Sequence, residues 1–567
     1  MTKDGLKLLV IGGYGTFGGR LVRLLAQDPR LTIVVAGRSL HKAESFVADC
    51  GGPARLKATA LDRDGDIKRH LIELAPDYVI DASGPWQNYG DDAWRIANAA
   101  IAAGVHYLDL ADSTDFVCGV SALDEAAIAR NVAIISGLST CPALTAAVVR
   151  ELAADFDTVT SVTGGIAPSP YAGMGKSVVD AIAAYAGKPV TVLEDGADVQ
   201  RHTFVSTRRL IIAPPGAVPL PPLIFSLVDV PDLKLLPEAA CAPTSAWFGV
   251  ATRPAPYHRV LRSLARGVKA GLFPSLRLIS GFMRSFANHL GWGEHRGGMI
   301  VELRGHDRNG DPLLKSWHLL AEGNTGPNVP VLGAAAIVRA HLEGRPPAPG
   351  ARPADRELEL TDFAPLFEEF GIVTGQRTGP ASATWPLFRK VLGEAWDDLP
   401  AEIRVLHGDR GDTRFAGEAS VVRGTSLLSR VISRLFSLPG AAESVPVKVT
   451  IELRDGSERW ERDFSGHQFS SALSRGKGRY EGLLCERFGP AKFAMALEWD
   501  GVRLKFLPRR WSLLGLPMPR FLAPSGDVYE SVDDGRFRFS VEIRMPLAGH
   551  IVTYKGWLEP NKPRGQS

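Results

Sequence analysis

Residues 7–25 read KLLVIGGYGTFGGRLVRLL, and this stretch decides the fold of the first part of the chain. An apolar strand runs into a glycine-rich turn, and an amphipathic helix follows at once. Three glycines have the G-x-G-x-x-G spacing, which permits a tight turn, close approach of a ligand to the backbone and close packing of the helix on the strand. Such a helix directs its free N–H groups at phosphate. We therefore expect the pyrophosphate of a dinucleotide to be bound by Gly13, Gly15, Thr16, Phe17 and Gly18.

The same alternation of strand and helix continues after this turn. From residue 7 to about residue 144, the strand candidates are KLLVIGG, LTIVVAG, YVIDASG, VHYLDLA and VAIISG. The helical segments LVRLLAQ, AWRIANAAIAAG and DEAAIARN lie between them. This order is typical of a parallel sheet with helices on both faces. Residues 1–145 are therefore predicted to form a doubly wound Rossmann domain of the α/β class.

The end of the second strand distinguishes between the two nicotinamide dinucleotides. A site for NAD(H) usually has an Asp or Glu here, which binds the ribose 2′-hydroxyl. This chain has Arg38 and Ser39, followed by Lys42. A guanidinium grips a 2′-phosphate, whereas a carboxylate repels it. The pattern therefore predicts NADP(H), and the alternative is that Arg38 is only solvated. Asp62, after the third strand, is expected to contact the adenine.

A further polar segment follows the fourth strand, in DASGPWQNYG. In a doubly wound sheet the nicotinamide half of the cofactor lies at the carboxyl edge, where this segment begins. Ser83, Gly84 and Pro85 are therefore predicted to shape the nicotinamide pocket. The alternative is that these residues form an ordinary loop.

Hydride chemistry also needs a group that supplies or takes a proton, with a pKa near the working pH. Tyr89, Asp109 and Asp112 are the candidate catalytic residues at this edge of the sheet, with Tyr107 beside them. The two aspartates are expected to shift each other's pKa if both face the cleft. In the alternative interpretation, one of them caps a following turn or helix.

The rest of the chain falls into two further predicted domains. Residues 146–375 mix strands and helices, and 299–323 are predicted to form two long strands joined by an Asn-Gly-Asp turn. The stretch GRPPAPGARP, residues 344–353, is predicted to be a surface connection. Residues 380–560 are predicted to form an antiparallel, β-rich and barrel-like domain. Three hairpin turns are indicated there by Asp-Gly pairs at 455–456, 500–501 and 534–535.

Composition excludes several classes of protein. The net charge of +3 over 567 residues does not favour nucleic-acid binding. Five scattered cysteines form neither a C-x-x-C pair nor a metal-ligand cluster, so no metal site is expected. The prolines between Leu210 and Val228 would break a membrane-spanning helix. Because the chain enters a strand within a few residues of its start, we expect no signal peptide and a cytoplasmic location.

The middle of the chain is basic and apolar. No acidic residue lies between Glu238 and Glu294, while Leu261 and Arg262 begin an apolar and a basic helical face, respectively. Basic amphipathic helices bind anionic membranes or cover pockets for amphiphiles. Residues 258–293 are therefore a candidate for peripheral membrane contact, and the alternative is a helix packed on the core with a solvated basic face. A second acid-free stretch, 502–524, combines arginines with aromatic residues.

Several of these motifs occur in the order seen in a known family. GGYGTFGG, AGRS, VIDASGPWQNYG, AAGVHYLDLADSTDF, AAIARNVAIISG and LLAEGNTGPNVPVLGAAAIVRA together resemble the saccharopine-dehydrogenase-like proteins over about residues 5–360. The resemblance implies an NADP(H)-binding Rossmann domain, an α/β substrate and dimerisation domain and a homodimer, with Tyr89 and residues 107–112 lining the nicotinamide cleft. It differs at GLSTCPALT, where saccharopine reductases carry an Asp-Pro-Gly-type segment, so their lysine-pathway substrates are not expected. The C-terminal part resembles an uncharacterised bacterial domain that is often fused behind this one.

These observations predict an NADP-dependent oxidoreductase. Hydride would pass between the nicotinamide and a C=O, C=N or activated C=C of a small or amphiphilic substrate. Short-chain dehydrogenases are disfavoured, because their Tyr-x-x-x-Lys pair is one residue too short at Tyr185 and Lys188. Two alternatives remain. One is a sensor that binds NADP(H) without turnover, and the other is a protein whose C-terminal barrel carries a ligand or lipid.

Overall fold

The computed structural model describes nine stretches of the chain, which together contain all of the predicted cofactor-binding and catalytic residues. These are residues 5–86, 89–90, 92–172, 176–239, 242–289, 293–379, 385–408, 413–454 and 457–561. The chain divides into two compact units. The first contains residues up to 210 and 224–373, and the second contains 211–223 and the residues from 374 onwards. Cys241 and the Asp-Gly pair at 455–456 lie outside the described residues.

The predicted Rossmann sheet is confirmed. Its first six strands are β1 (Leu6–Ile11), β2 (Leu31–Gly37), β3 (Arg55–Ala60), β4 (Tyr78–Asp81), β5 (His106–Asp109) and β6 (Ala133–Ser136). The helices that accompany them are α1 (Gly18–Leu25), α2 (Leu40–Asp49), α3 (Ile67–Leu74), α4 (Arg95–Ala103), α5 (Thr114–Gly119), α6 (Asp124–Ala129) and α7 (Thr145–Ala153). All neighbouring strands run parallel in the order β6-β5-β4-β1-β2-β3. The carboxyl ends of these strands therefore meet at one edge of the sheet, where the predicted site residues lie.

A mixed sheet forms the rest of the first unit. Its strands and an attached hairpin are β7 (Thr158–Ala167), β8 (Pro189–Glu194), β9 (Ala197–His202), β10 (Thr207–Leu210), β11 (Leu223–Leu227), β12 (Ser245–Val250), β13 (Gly297–His306) and β14 (Pro312–Ala321). Its helices are α8 (Lys176–Tyr185), α9 (Asp232–Ala239), α10 (Ala255–Lys269), α11 (Ser280–His289), α12 (Leu332–Leu342) and α13 (Leu360–Glu369). The predicted long hairpin is confirmed by the antiparallel β13–β14 pair, whose turn has φ of 82° at Gly310.

One segment of the chain returns to the Rossmann sheet. Residues 344–353 were expected to be a surface connection, but Gly350–Pro353 form β15, which pairs in parallel with β6. Ala351 is buried there, and its N–H donates to Asp124 at 2.8 Å. The prediction failed because Gly and Pro mark turns locally, whereas an edge strand is set by a partner far away in sequence.

The second unit is built on a closed antiparallel barrel. Three elements precede the barrel strands in the chain: β16 (Val373–Gly379), α14 (Leu387–Leu392) and α15 (Ala401–Gly408). A further helix, α16 (Leu427–Leu435), lies between the first two barrel strands. The remaining strands are β17 (Thr413–Arg423), β18 (Ala442–Arg454), β19 (Ser457–Phe464), β20 (His467–Arg475), β21 (Leu484–Phe488), β22 (Ala491–Trp499), β23 (Arg503–Leu513), β24 (Leu516–Pro517), β25 (Val528–Asp533), β26 (Arg536–Met545) and β27 (Gly549–Pro560). Ten of these strands close the ring through the β22–β23 pair, and β24 lies outside it on β23.

The predicted hairpin turns of the barrel can be compared with the backbone. Asp534 and Gly535 have φ of 50° and 67° between β25 and β26, as an Asp-Gly hairpin requires. At Asp500 and Gly501 only the glycine has a positive φ, and the Asp500 carboxylate accepts from the N–H of Arg503 at 2.7 Å. This second turn is therefore a longer loop closed by a side chain. Among the described residues, no helix has both the length and the apolar character needed to cross a membrane.

Candidate functional site

The glycine-rich turn connects β1 to α1 and opens at the carboxyl edge of the Rossmann sheet. Gly15 and Thr16 at its tip are exposed, whereas Gly18 is buried at the start of the helix. Among the described residues no side chain caps α1 at Phe17, and its first turn contains no acidic residue. The N–H of Gly19 donates to the carbonyl oxygen of Gly15 at 2.9 Å, whereas the N–H groups of Thr16, Phe17 and Gly18 make no backbone hydrogen bond to any described residue. These three N–H groups can therefore receive an anionic ligand. This geometry fits the pyrophosphate of a dinucleotide.

The tight turn depends on Gly12 rather than on Gly13. Gly12 has φ of 74°, a left-handed conformation that glycine adopts without strain. A Cβ atom built on Gly12 would lie 2.8 Å from the carbonyl oxygen of Ala82 and 3.0 Å from Cα of Ser83. The turn after β1 and the loop after β4 thus touch at a point where only a glycine fits. The G-x-G-x-x-G spacing begins one residue later, which is why the sequence analysis missed Gly12.

The residues predicted to select the cofactor lie at the end of β2 and the start of α2. Arg38 and Lys42 are exposed. The Ser39 hydroxyl caps α2 by accepting from the N–H of Lys42 at 3.4 Å. Tyr14, which the sequence analysis did not single out, accepts from the N–H of Ser39 at 3.1 Å, and its ring leaves no room for a side chain at Gly37. Tyr14 thus braces the segment that presents the two cations.

Asp62 lies on the loop after β3, at the same edge of the sheet. Its neighbour Leu61 donates its N–H to Gly37 at 3.0 Å, which ties this loop to the end of β2. The Asp62 side chain is exposed and accepts from the N–H of Asp64 at 3.2 Å. Asp62 is therefore near the predicted adenosine end, as expected, and has an accessible carboxylate.

A buried carboxylate organises the loop after β4. Asp81 is fully buried at the end of this strand. Its Oδ1 accepts from the Ser83 hydroxyl at 2.6 Å and from the Ser83 N–H at 2.9 Å, and its Oδ2 accepts from the Tyr89 hydroxyl at 2.8 Å. The Arg63 guanidinium lies 4.0 Å from the centre of the Tyr89 ring. Asp81 therefore fixes the loop that contains Ser83, Gly84, Pro85 and Tyr89. Asp81 was not predicted as a site residue, although it ends its strand as Asp109 does.

These contacts determine the protonation of Tyr89. Burial and then the charge of Asp81 raise the pKa of Tyr89 far above its usual value. The hydroxyl is therefore held neutral and donates to Asp81. Tyr89 is placed in the predicted cleft, where it orients the loop carrying Ser83.

Asp109 ends β5 and is the register partner of Asp81 on β4. Its Oδ1 accepts from the N–H of Gly137 at 2.7 Å and of Ala111 at 2.9 Å, so it ties together the loops after β5 and β6. Burial raises its pKa to about 7, although these two N–H donors lower it, and the charge of Asp81 adds a smaller increase. The alternative interpretation, that one of the aspartates caps a following turn, is therefore confirmed for Asp109.

Asp112 lies in the loop between β5 and α5. It is exposed, and its charge contributes to raising the pKa of the buried Cys141 and of the half-buried Tyr185. The carboxylate whose charge raises the pKa of Asp109 is Asp81, its register partner on the neighbouring strand. A mutual pKa shift of Asp109 and Asp112 stays a prediction.

A second buried carboxylate lies beside Cys141. Asp232, the first residue of α9, accepts from the hydroxyl of Thr145 at the start of α7. Burial raises the pKa of Asp232 to about 7, although the Thr145 and Cys141 side chains lower it. Its Oδ2 is buried and makes no hydrogen bond to any described residue. This group was not predicted from the sequence, because the residues involved are about ninety positions apart in the chain.

Two family models match parts of the chain. Residues 8–135 match the family model of the saccharopine dehydrogenase NADP binding domain. Residues 399–558 match the model of a domain of unknown function, DUF4166. The resemblance seen in the sequence motifs is therefore confirmed over the Rossmann domain, and so is the presence of an uncharacterised domain behind it. None of the curated proteins compared with the chain matches it.

The comparison with solved structures found similar chains at low sequence identity. Saccharopine dehydrogenase (L-Glu forming) from Saccharomyces cerevisiae is 14% identical, with a TM-score of 0.50 over 66% of this chain and 100% of that chain. GenD2 from gentamicin A biosynthesis, in complex with NAD, is 16% identical over 61% of this chain and 89% of that chain, with a TM-score of 0.30. The first likeness shows a shared fold, and the second is too distant to support an argument.

Proposed function

Because the chain carries a saccharopine dehydrogenase NADP-binding domain and is an NAD(P)-dependent oxidoreductase, we propose that it uses NADP(H) to transfer hydride to or from a small or amphiphilic substrate. The reacting group is a C=O, a C=N or an activated C=C. When bound, the nicotinamide supplies the hydride chemistry. The residues of this chain supply binding and orientation and exclude water from the reacting atoms.

The end of β2 carries the cofactor proposal. Arg38 is exposed and forms no ion pair with any described residue, and Lys42 is exposed one turn later. No carboxylate lies between β2 and Lys42 to bind a ribose 2′-hydroxyl. A guanidinium that is free to bind a 2′-phosphate contributes about 1.5–3 kcal/mol, which is about ten- to a hundredfold in affinity.

The test is a fluorescence titration of the full chain with NADPH and with NADH. We expect NADPH to bind at least about tenfold more tightly, and Arg38→Ala to remove that preference. Arg55→Ala is the matched control, since Arg55 is equally exposed but starts β3 at the opposite edge of the sheet. Equal affinities for the two dinucleotides in the wild-type chain would contradict the proposal.

We place the proton of the reaction among Tyr89, Asp109 and Asp112. Tyr89 donates to Asp81, Asp109 is the register partner of Asp81, and Asp112 is the most exposed member of the set. A screen of NADPH oxidation against carbonyl, imine and enoyl compounds tests for turnover, and Asp112→Asn is expected to lower kcat with little change in NADPH affinity. Tight NADPH binding without oxidation by any substrate class would favour the alternative of a sensor.

We also propose that the basic middle segment touches an anionic membrane surface. Within residues 258–293 the structure describes all but 290–292. Helix α10 packs its apolar face on the protein, which is the alternative to membrane contact given above. The segment after α10 differs, because Leu272 and Leu278 are 72% and 94% exposed beside the exposed Lys269 and Arg277. Exposed apolar groups beside cations suit the interface of an anionic bilayer.

Sedimentation with vesicles tests this contact. The full chain is expected to bind phosphatidylglycerol vesicles more than phosphatidylcholine vesicles, and Leu278→Asp is expected to weaken that binding. Ile128→Asp is the control, because Ile128 is 55% exposed on α6. Equal losses in the two variants would remove the assignment to this segment.

The resemblance also leads us to propose a homodimer located in the cytoplasm, without a nucleic-acid partner. Light scattering of the purified chain is expected to give twice the mass of 61.0 kDa that one chain has. A monomeric mass at micromolar concentration would contradict the dimer.

A further inference from the structure

The barrel of the second unit encloses an apolar cavity of about 420 Å³. Its wall consists mainly of aromatic and aliphatic side chains that point inward from the strands, among them Trp460, Phe464, Phe493, Phe506 and Phe539. Close-packed domains contain few voids larger than a water molecule, and an apolar void is costly because its lining atoms lack contacts. A cavity of this size inside a closed barrel is therefore a ligand site rather than a packing defect.

The volume limits the size of the ligand. An apolar cavity of about 150 Å³ holds one benzene ring. By the same ratio, the barrel cavity accommodates roughly 17 carbon atoms. That is the size of one long aliphatic chain, and it is too small for two.

The acidic groups of the wall are already engaged by neighbouring side chains. Each carboxylate in the lining has a partner, and the pairs are Glu486 with Arg462 at 3.3 Å, Glu530 with His407 at 2.6 Å, and Glu542 with Arg544 at 2.6 Å. The Arg462 guanidinium also lies over aromatic rings, 5.2 Å from the centre of Trp460. The interior is thus suited to an apolar chain and not to a charged head group.

The opening of the cavity lies beside α16. Leu435 lines the cavity and is nevertheless 73% exposed, so it marks the rim. Arg434 is its neighbour in the helix and Arg430 lies one turn earlier; both are exposed, and neither forms an ion pair with any described residue. No acidic residue occurs between Glu418 and Glu443. The rim therefore attracts an anion, while the interior behind it accepts hydrocarbon.

We propose that the barrel binds one single-chain anionic amphiphile of the long-chain carboxylate class. The hydrocarbon chain fills the aromatic cavity, and the carboxylate lies at the rim beside Arg430 and Arg434. This site is separate from the cofactor site of the first unit, and the inference does not depend on the reaction proposed above.

The first test is binding of the fluorescent long-chain carboxylate cis-parinaric acid to the full chain, followed by displacement with palmitate. We expect saturable binding of one probe per chain. Val449→Trp puts a large ring into the cavity from β18, and loss of room for two chain methylenes weakens binding about tenfold. Lys448→Trp is the matched control, because Lys448 is exposed on the opposite face of the same strand. Absence of saturable binding, or equal effects of the two substitutions, overturns the proposal.

A second test keeps the barrel interior intact. The double variant Arg430→Gln/Arg434→Gln is expected to weaken displacement by palmitate about tenfold, because each arginine contributes a charge-assisted contact to the carboxylate. Displacement by neutral hexadecanol is expected to change less than twofold. Because these substitutions lie on the surface, they decide the question even if Val449→Trp fails to fold. An equal loss for both competitors, or no loss for palmitate, overturns the placement of the head group.

Discussion

Replacing Gly12 with alanine should separate the binding of the cofactor from the stability of the domain. Gly12 has φ of 74°, and an alanine in that conformation costs about 1–2 kcal/mol of folding free energy. The new Cβ would also lie 2.8 Å from the carbonyl oxygen of Ala82, where ordinary contact begins at 3.4 Å. The turn after β1 and the loop after β4 must therefore separate by about 0.6 Å.

That separation acts on the groups predicted to bind the dinucleotide. The N–H groups at the start of α1 hold the pyrophosphate through hydrogen bonds with a narrow range of distances. Loss of one such charge-assisted bond costs about 1.5–3 kcal/mol, so NADPH should bind about ten- to a hundredfold more weakly. Fluorescence titration measures the affinity, and urea unfolding measures the stability of the same samples.

Gly104→Ala is the control for this experiment. Gly104 ends α4 in the same domain with φ of 72°, and open space surrounds the position of its missing Cβ. It should lose the same 1–2 kcal/mol of stability, by the left-handed strain alone, and bind NADPH as the wild type does. If Gly12→Ala binds NADPH within about threefold of the wild type, the turn does not hold the cofactor and the reasoning from its geometry is wrong.

Three further outcomes follow from the buried groups. Burial raises the pKa of Asp109 in the folded state to about 7, from about 3.9 in the unfolded state. Between these pH values the folded chain binds one more proton than the unfolded chain, so the free energy of unfolding falls as the pH rises. Asp109→Asn should therefore flatten the dependence of urea unfolding on pH from about pH 4 to 7, relative to the wild type. Tyr89→Phe removes a donor from the buried Asp81 carboxylate and should cost about 1–3 kcal/mol in the same assay. Trp317→Ala, on β14 against Phe367, should cost about 3–5 kcal/mol, and a loss below about 1 kcal/mol would contradict the assigned core.

The features that sequence predicted well are those set by neighbours along the chain. The strand, turn and helix around Gly15 follow from local periodicity and glycine spacing, and so do the β13–β14 hairpin and the turn at Asp534. The barrel-like class of the C-terminal domain was predicted from such turns, although the number of strands and the pair that closes the ring were not. The ring is closed by the pairing of β22 with β23 and by the three-residue pairing of β23 with β25. Neither pairing can be predicted from the composition of the strands.

The parts of the site that escaped prediction come from distant segments. The Tyr14 hydroxyl accepts a hydrogen bond from the N–H of Ser39, after the end of β2. The Asp232 carboxylate accepts one from the hydroxyl of Thr145, which is far from it in the sequence. Asp81 was not predicted because an aspartate at the end of a buried strand is recognised as a site residue only by its hydrogen bonds, which the sequence does not contain. A single sequence records which residue types are present, whereas these pairings depend on the assembled sheet.

The late strand β15 also has a consequence for synthesis of the chain. It covers the outer edge of β6, yet it is translated roughly 200 residues later, which takes about 10–40 s at ordinary elongation rates. During that interval the N–H and C=O groups along the β6 edge have no strand partner, and an uncovered edge is a template for pairing with another nascent chain. We therefore expect fragments that end before Gly350 to associate on the ribosome or to need a chaperone, even though they contain the entire cofactor-binding motif.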